Sequence, residues 1–280
     1  MLNPFQSCLI RRSFRIAVPL IIALASINTI FATANQSAHA APSDADIFRS
    51  QGFEEPLVPI GGKTTASENV ALQSAIAAYS KRTERDDHSA IIRFLRDYPK
   101  SPWNAALFTN LGLEYRKTGW FLKALDAWEK AWALGKNDKS TRGKVLMDRA
   151  VGELGELNAR LGRREKVETI LQETQNRPLI GVATEKITAA REGVWQMMHE
   201  PGNAFKCGPF ALARIRASEG LGSAPDPKIL AAQSTDHGMS LDQVWKLSND
   251  LGMDYQMAKR KPGSDIIVPC VVNWKANHYA

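Results

Sequence analysis

The sequence predicts two joined parts: an α-helical repeat array followed by a smaller α+β domain. Two observations carry this. Between residues 68 and 199 small and aromatic residues recur at a spacing of 34, so that Ala78, Ala90 and Phe94 are followed by Gly112, Ala124 and Trp128, while Pro102 meets a mismatch at Lys136. A fixed period of that length marks stacked helical pairs. Past His199-Glu200-Pro201-Gly202-Asn203 the period stops, and three short helical stretches precede two strand-like ones. A chain of 280 residues has room for two modest domains. Its 44% hydrophobic and 23% charged content excludes disordered and fibrous classes.

Residues 1–40 read as an export leader. Arg11, Arg12 and Arg15 form a basic start, and Ile16 to Ala34 is mostly apolar. Ala38-His39-Ala40 then offers small residues where a signal peptidase reads them, with cleavage before Ala41. Pro19, Asn28 and the short apolar core argue against a membrane anchor. Arg11-Arg12-Ser13-Phe14-Arg15 has elements of a twin-arginine motif, but Ile10 and Arg15 depart from it, which favours general secretion. The expected location is therefore the periplasm or the exterior, with no membrane attachment after cleavage. Removing the three arginines lowers the net charge from +7 to +4. Lys and Arg are spread along the helices, and no concentrated basic face suggests nucleic acid.

Residues 41–67 are polar, with Pro42, Pro56, Pro59 and Gly61-Gly62, and read as a linker or loosely ordered arm. The repeat array covers 68–199. Its best unit is Phe108-x-x-Leu111-Gly112-x-x-Tyr115 followed by Gly119, Ala124, Trp128 and Ala131. This is similar to a tetratricopeptide repeat, two antiparallel helices whose small residues permit close approach. A second unit shows Val151-x-x-Leu154-Gly155, Gly162, Val167 and Leu171. Its turn glycine follows Gly119 by 43 residues, so longer helices or an insertion intervene. Thr184 to Met198, with Ile187, Ala190, Val194, Trp195 and Met198 apolar, is expected to cap the array.

The second part, 200–280, opens on Phe205-Lys206-Cys207-Gly208-Pro209, with Phe210, Leu212, Ala213 and Ile215 continuing an apolar helical run. A thiol at a helix start meets unpaired N–H groups and the positive end of the helix dipole, both of which favour the thiolate. Asp226-Pro227 starts a short helix. Ser240-Leu241-Asp242-Gln243 has capping-box spacing before an amphipathic helix that Gly252 stops. Met253 to Arg260 and Ile266 to Ala280 read as strands, the second ending near His278. A Cys at a helix start with a distant strand His is an arrangement for nucleophilic catalysis.

The ordered set Cys207-Gly208-Pro209-x-Ala211-Leu212, Gly238-Met239-Ser240-Leu241, Leu251-Gly252-Met253, Val268-Pro269-Cys270-Val271-Val272 and Asn277-His278-Tyr279 resembles the papain-like cysteine peptidases that remove double-glycine leaders from bacteriocin precursors. The resemblance implies a papain-like α+β fold over 200–280. It also implies Cys207 as nucleophile and His278 as the general base that later protonates the leaving amine. The family places an oxyanion-stabilising Gln six residues before its Cys, where this chain has Pro201. Asn203 and Gln196 carry amide donors that could serve instead. The family also orients its His with an Asp or Asn about fifteen residues later, and this chain ends two residues after His278. The resemblance thus implies a C-terminally incomplete peptidase domain.

Other readings of these residues stay open. Cys207 and Cys270 could pair outside the cytoplasm. Cys207, Cys270, His237 and His278 include zinc-binding types but lack close ligand spacing, so no metal or other cofactor is expected. The expected function is thiol hydrolysis of peptide bonds in an exported protein, with the helical repeats holding a substrate chain or protein partner. The alternative is a non-catalytic interaction module or the N-terminal head of a larger exported protein.

Overall fold

The computed structural model describes the backbone of residues 5–10 and, apart from 223, 225, 262 and 277, all of residues 41–280. The apolar stretch and cleavage point expected of the leader lie outside the described residues. Strand β1 (Phe5–Ile10) falls within the same leader stretch.

The array consists of antiparallel helical pairs. The first is α2 (Ala66–Ser80) with α3 (Ser89–Asp97), the second α4 (Asn104–Lys117) with α5 (Phe121–Gly135). The third is α6 (Thr141–Arg160) with α7 (Arg164–Thr174), and α8 (Val182–His199) packs against α6 and α7 as the expected cap. The small-residue positions explain the spacing between helices. A Cβ on Gly112 would lie 2.2 Å from Nε1 of the fully buried Trp128, whose N–H donates to the Thr109 carbonyl at 3.1 Å. Gly155 faces Ile187, and Gly152 faces the backbone of Ala183, so α6 and α8 approach closely. Gly119 and Gly162 both turn the chain with positive φ, +79° and +69°. The 43-residue interval between them is accounted for largely by α6, which has 20 residues against the 14 of α4.

Buried ion pairs join the helices across the array. Glu153 of α6 pairs with Arg116 of α4, Arg149 and Lys186 of α8. Asp148, wholly buried, meets Arg177 at 2.6 Å and Lys144 at 2.7 Å. On α8 the buried stripe is Ala183, Ile187, Ala190, Val194 and Met197. Trp195 and Met198, expected on that stripe, face outward, and Trp195 stacks on His199.

The stretch 41–67, expected to be a linker or loosely ordered arm, is instead packed on the array. Ser43 caps α1 (Asp44–Phe48) with a full capping box, and Ile47, Leu57, Val58 and Ile60 are buried in the array's core. The Asn110 side chain brackets the Glu55 backbone, accepting from its N–H and donating to its carbonyl, both at 2.9 Å. Arg149 reaches Glu54 and Glu55. The prolines keep the segment extended, and its backbone finds partners on α4 and at Pro102, whose carbonyl accepts from Ile60 N–H at 2.8 Å.

The second part has its own core, built by α10 (Cys207–Ser218), α11 (Pro227–Ala231), α12 (Leu241–Asp250) and the sheet. Helix α9 (Pro201–Ala204) links it to α8. Asp226 caps α11, and Ser240 with Gln243 forms the expected capping box on α12. The strands are shorter than expected. Between Met253 and Arg260 only β2 (Gln256–Ala258) is extended in the sheet, while Met253 and Tyr255 are buried in the core. The predicted single strand 266–280 is a hairpin of β3 (Cys270–Trp274) and β4 (His278–Tyr279), with 266–268 exposed. The sheet order is β2-β1-β3-β4, with neighbours antiparallel.

Candidate active site

Cys207 is the first residue of α10, and Lys206 stands at the cap without a side-chain cap bond. The close seating of this helix start follows from its sequence. A Cβ on Gly208 would lie 2.6 Å from Val244 and 3.4 Å from the Tyr279 ring, so only glycine lets the start of α10 press on α12 and β4. Ala211, Leu212 and Ile215 face the core, whereas Phe210, expected among them, points outward. Lys206 is buried, and its ammonium donates to the Leu230 carbonyl at 2.8 Å.

His278 lies opposite Trp274 on β4 and is half-buried. Burial pushes its imidazole below the ordinary His range, because removing water penalises the charged ring. The neutral ring is the form that can accept a proton. The neighbouring Tyr279 is buried and donates its hydroxyl to the Met239 carbonyl at 3.0 Å. Burial, and then the negative charge Cys207 can carry, push its phenol up to about 12. Tyr279 is therefore within electrostatic reach of the thiol and stays protonated.

Cys207 and His278 line one cavity of about 350 Å³ and an adjoining opening of about 700 Å³. The cavity lies where the two parts of the chain meet. Leu161, Gly162 and Arg163, at the corner between α6 and α7, form one wall, and Phe205, Cys207, Met239, His278 and Tyr279 form the other. Two aromatic contacts fix this meeting. Phe205, two residues before Cys207, lies on Gly162 so closely that a Cβ there would be 2.8 Å from the ring. Trp274, the ladder partner of His278, stacks on Phe121 of α5 with centroids 5.5 Å apart.

Cys207 and His278 share no hydrogen bond in this structure, and among the described residues no side chain bonds the His278 ring to orient it. Catalytic hydrogen bonds of a ligand-free site are often long and tighten only around substrate. Of the two amide candidates, Asn203 is exposed on α9 and lines the 700 Å³ opening with Cys207 and His278. Gln196 is exposed on α8 and lines neither space. Cys207 and Cys270 are not joined in a disulfide. His237 lines the cavity in a turn at Gly238, and Cys270 begins β3. Among the described residues no cluster of three or more metal-binding side chains occurs.

Sequence reasoning brought Cys207 and His278 together but missed the array's share of the site. Gly162 was legible as a turn glycine, and nothing in its spacing pointed to Phe205. Phe121 and Trp274 carried no signal beyond being aromatic. No family model, curated protein or solved structure matches the chain.

Proposed function

We propose that the chain is a papain-like cysteine peptidase whose nucleophile is Cys207 and whose general base is His278, joined to a tetratricopeptide-like helical array. The observation that supports this reading is a thiol at the first residue of α10 and an imidazole on β4 lining one cavity, with burial favouring the neutral form of the ring. In this reading the Cys207 sulfur attacks the peptide carbonyl while His278 takes the thiol proton. The imidazolium then protonates the leaving amine, and water hydrolyses the thioester with the same ring as base. The Cys207 backbone N–H and the Asn203 amide are the donors available to the oxyanion. The array holds an extended segment of its own chain through Asn110, and it would hold a substrate or partner chain by the same kind of backbone bonding. We place the mature protein outside the cytoplasm, on the strength of the basic and apolar pattern of residues 1–40, whose removal would also take β1 out from between β2 and β3.

A second reading, a non-catalytic peptide-binding module, is favoured by the absence of an orienting partner on the His278 ring among the described residues. Loss of such a partner can cost about 10⁴ in rate. Iodoacetamide labelling of Cys207 across pH, followed by mass spectrometry, decides between them. A peptidase shows Cys207 alkylated at neutral pH well ahead of Cys270, and His278→Ala abolishes the advantage. An ordinary thiol profile centred near pH 8.5, unaffected by His278→Ala, leaves the binding module.

A further inference from the structure

The charges around Cys207 are lopsided. The cavity and the opening beside it are lined by Arg160, Arg163, Lys206, Arg214 and Lys275, of which Lys206 is buried on the Leu230 carbonyl, and the acidic side chain among the lining residues is Asp236. Over the whole chain the ratio is far more even, 36 Lys and Arg to 29 Asp and Glu. Asp236 is itself 3.8 Å from His237.

The state of these cations separates them from the rest of the array. Arg116, Lys144, Arg149, Arg177 and Lys186 are all held by carboxylates of α6, so their charge is already matched. Arg160 is held by Glu156. Arg163, Arg214 and Lys275 have no acidic partner among the described residues. Arg163 is half-buried at the α6–α7 corner and Lys275 sits on the β3–β4 turn, so they approach the cavity from its two walls. A cavity of about 350 Å³ is roughly 9 Å across, inside the Debye length of about 10 Å at 0.1 M salt. Cations on opposite walls of such a space act on one ligand together.

We infer that the site selects an anionic peptide, one carrying Asp or Glu side chains within a few residues of the segment lying over Cys207. Such a carboxylate is matched by Arg163 from the array and Lys275 from the hairpin, so each part of the chain supplies half of the recognition. The inference rests on the reading of Cys207 and His278 as a peptide site, and deepens it by naming the substrate class.

The test uses the full chain with Cys207→Ala and pairs of fluorescent peptides that differ only by Glu or Gln. Anisotropy at low salt should show the Glu peptide bound about tenfold more tightly than its Gln partner, with the advantage shrinking as salt is raised. Lys275→Glu, a change at an exposed turn, should remove most of that advantage and favour a Lys-containing peptide. Arg163→Gln should weaken it without needing a reversed charge in a half-buried place. Equal affinity for the Glu and Gln peptides, or no measurable binding of either, overturns the inference. Cleavage by the unmodified protein separates this from the peptidase reading. Selective binding without cleavage keeps the anionic preference and removes the enzyme. Equal cleavage of both peptides keeps the enzyme and removes the preference.

Discussion

Trp274 stacks on Phe121 with ring centroids 5.5 Å apart and planes 25° apart. The pair joins the β3–β4 hairpin to the second helical pair, and Trp274 is the residue opposite His278 on the ladder. Residues opposite one another project from the same face, so the indole docked on the array stands beside the imidazole. An aromatic pair contributes about 0.5–1.5 kcal/mol beyond its buried area. Phe121→Ala should therefore speed hydrogen exchange at the Val272 and Ala280 amides about two- to tenfold. Those two amides bond to each other's carbonyls at 2.7 and 3.1 Å and report on the hairpin directly. If α2 and α3 amides accelerate equally, the stack acts on the whole chain rather than on the hairpin.

Gly162 offers a paired comparison with Gly119. Both have positive φ, where a side chain costs roughly 1–3 kcal/mol. A Cβ on Gly162 also meets the Phe205 ring at 2.8 Å, while one on Gly119 meets nothing within 4 Å. Gly162→Ala is expected to lower the melting temperature and to change the alkylation rate of Cys207 severalfold. Gly119→Ala is expected to lower the melting temperature alone. Identical alkylation in the two variants would show that the Phe205 contact does not position the thiol.

His88 is buried, with neither ring nitrogen bonded, and its ring meets Tyr115 edge-on at 5.0 Å. Burial, reinforced by Arg82, lowers its folded pKa below 6.5. A group whose folded pKa is depressed contributes stability that is present above its unfolded value and lost as pH falls. Unfolding free energy should thus decline below about pH 6.5, with at most about 1.4 kcal/mol per pH unit from this ring. His278, lowered by burial in the same direction, adds to the decline. Urea titrations at several pH values check it, and His88→Phe should flatten part of the slope.

Asp148 stands wholly buried between Arg177 and Lys144. Removing one partner of a buried pair leaves charge unmatched and costs about 3–5 kcal/mol. Asp148→Ala is expected to lose stability of that size in urea unfolding, and a loss below about 1 kcal/mol would show that the pair is solvated. Glu156 sets a second, more acidic limit. Burial alone would raise its carboxyl, but Arg116, Lys186 and Arg160 outweigh it and hold the group at about 2. Its contribution is present above the ordinary Glu range and lost as pH falls toward that value.

What the sequence revealed was what local spacing encodes. Gly112 under Trp128, the turns at Gly119 and Gly162, and the capping box from Ser240 to Gln243 each involve residues within one helical pair or one turn. Cys207 and His278 were legible because a nucleophile at a helix start and a late strand His form a recognisable order. The arm at 41–67 was not legible. Its prolines suggest a linker, and its fixed place depends on Asn110 and Arg149, 55 and 94 residues beyond Glu55. The β3–β4 hairpin looks like one strand in the sequence because Lys275 and Ala276, which turn the chain, are neither Gly nor Pro. The junction of the two parts was invisible for the same reason as the arm: Phe205 on Gly162 and Trp274 on Phe121 are tertiary pairings with no periodic signature.

The cavity beside Cys207 has one wall from each part of the chain, so it exists only while the array and the domain are docked. Whatever occupies it binds the docked arrangement and not the separated one. By mass action, a ligand at a hundred times its Kd adds about 2.7 kcal/mol to the cost of pulling the two apart. Occupancy at the thiol should then be readable far from it, as a later melting of helices that never touch the ligand. A molecule seated at Cys207 is in that sense a fastener between two folding units.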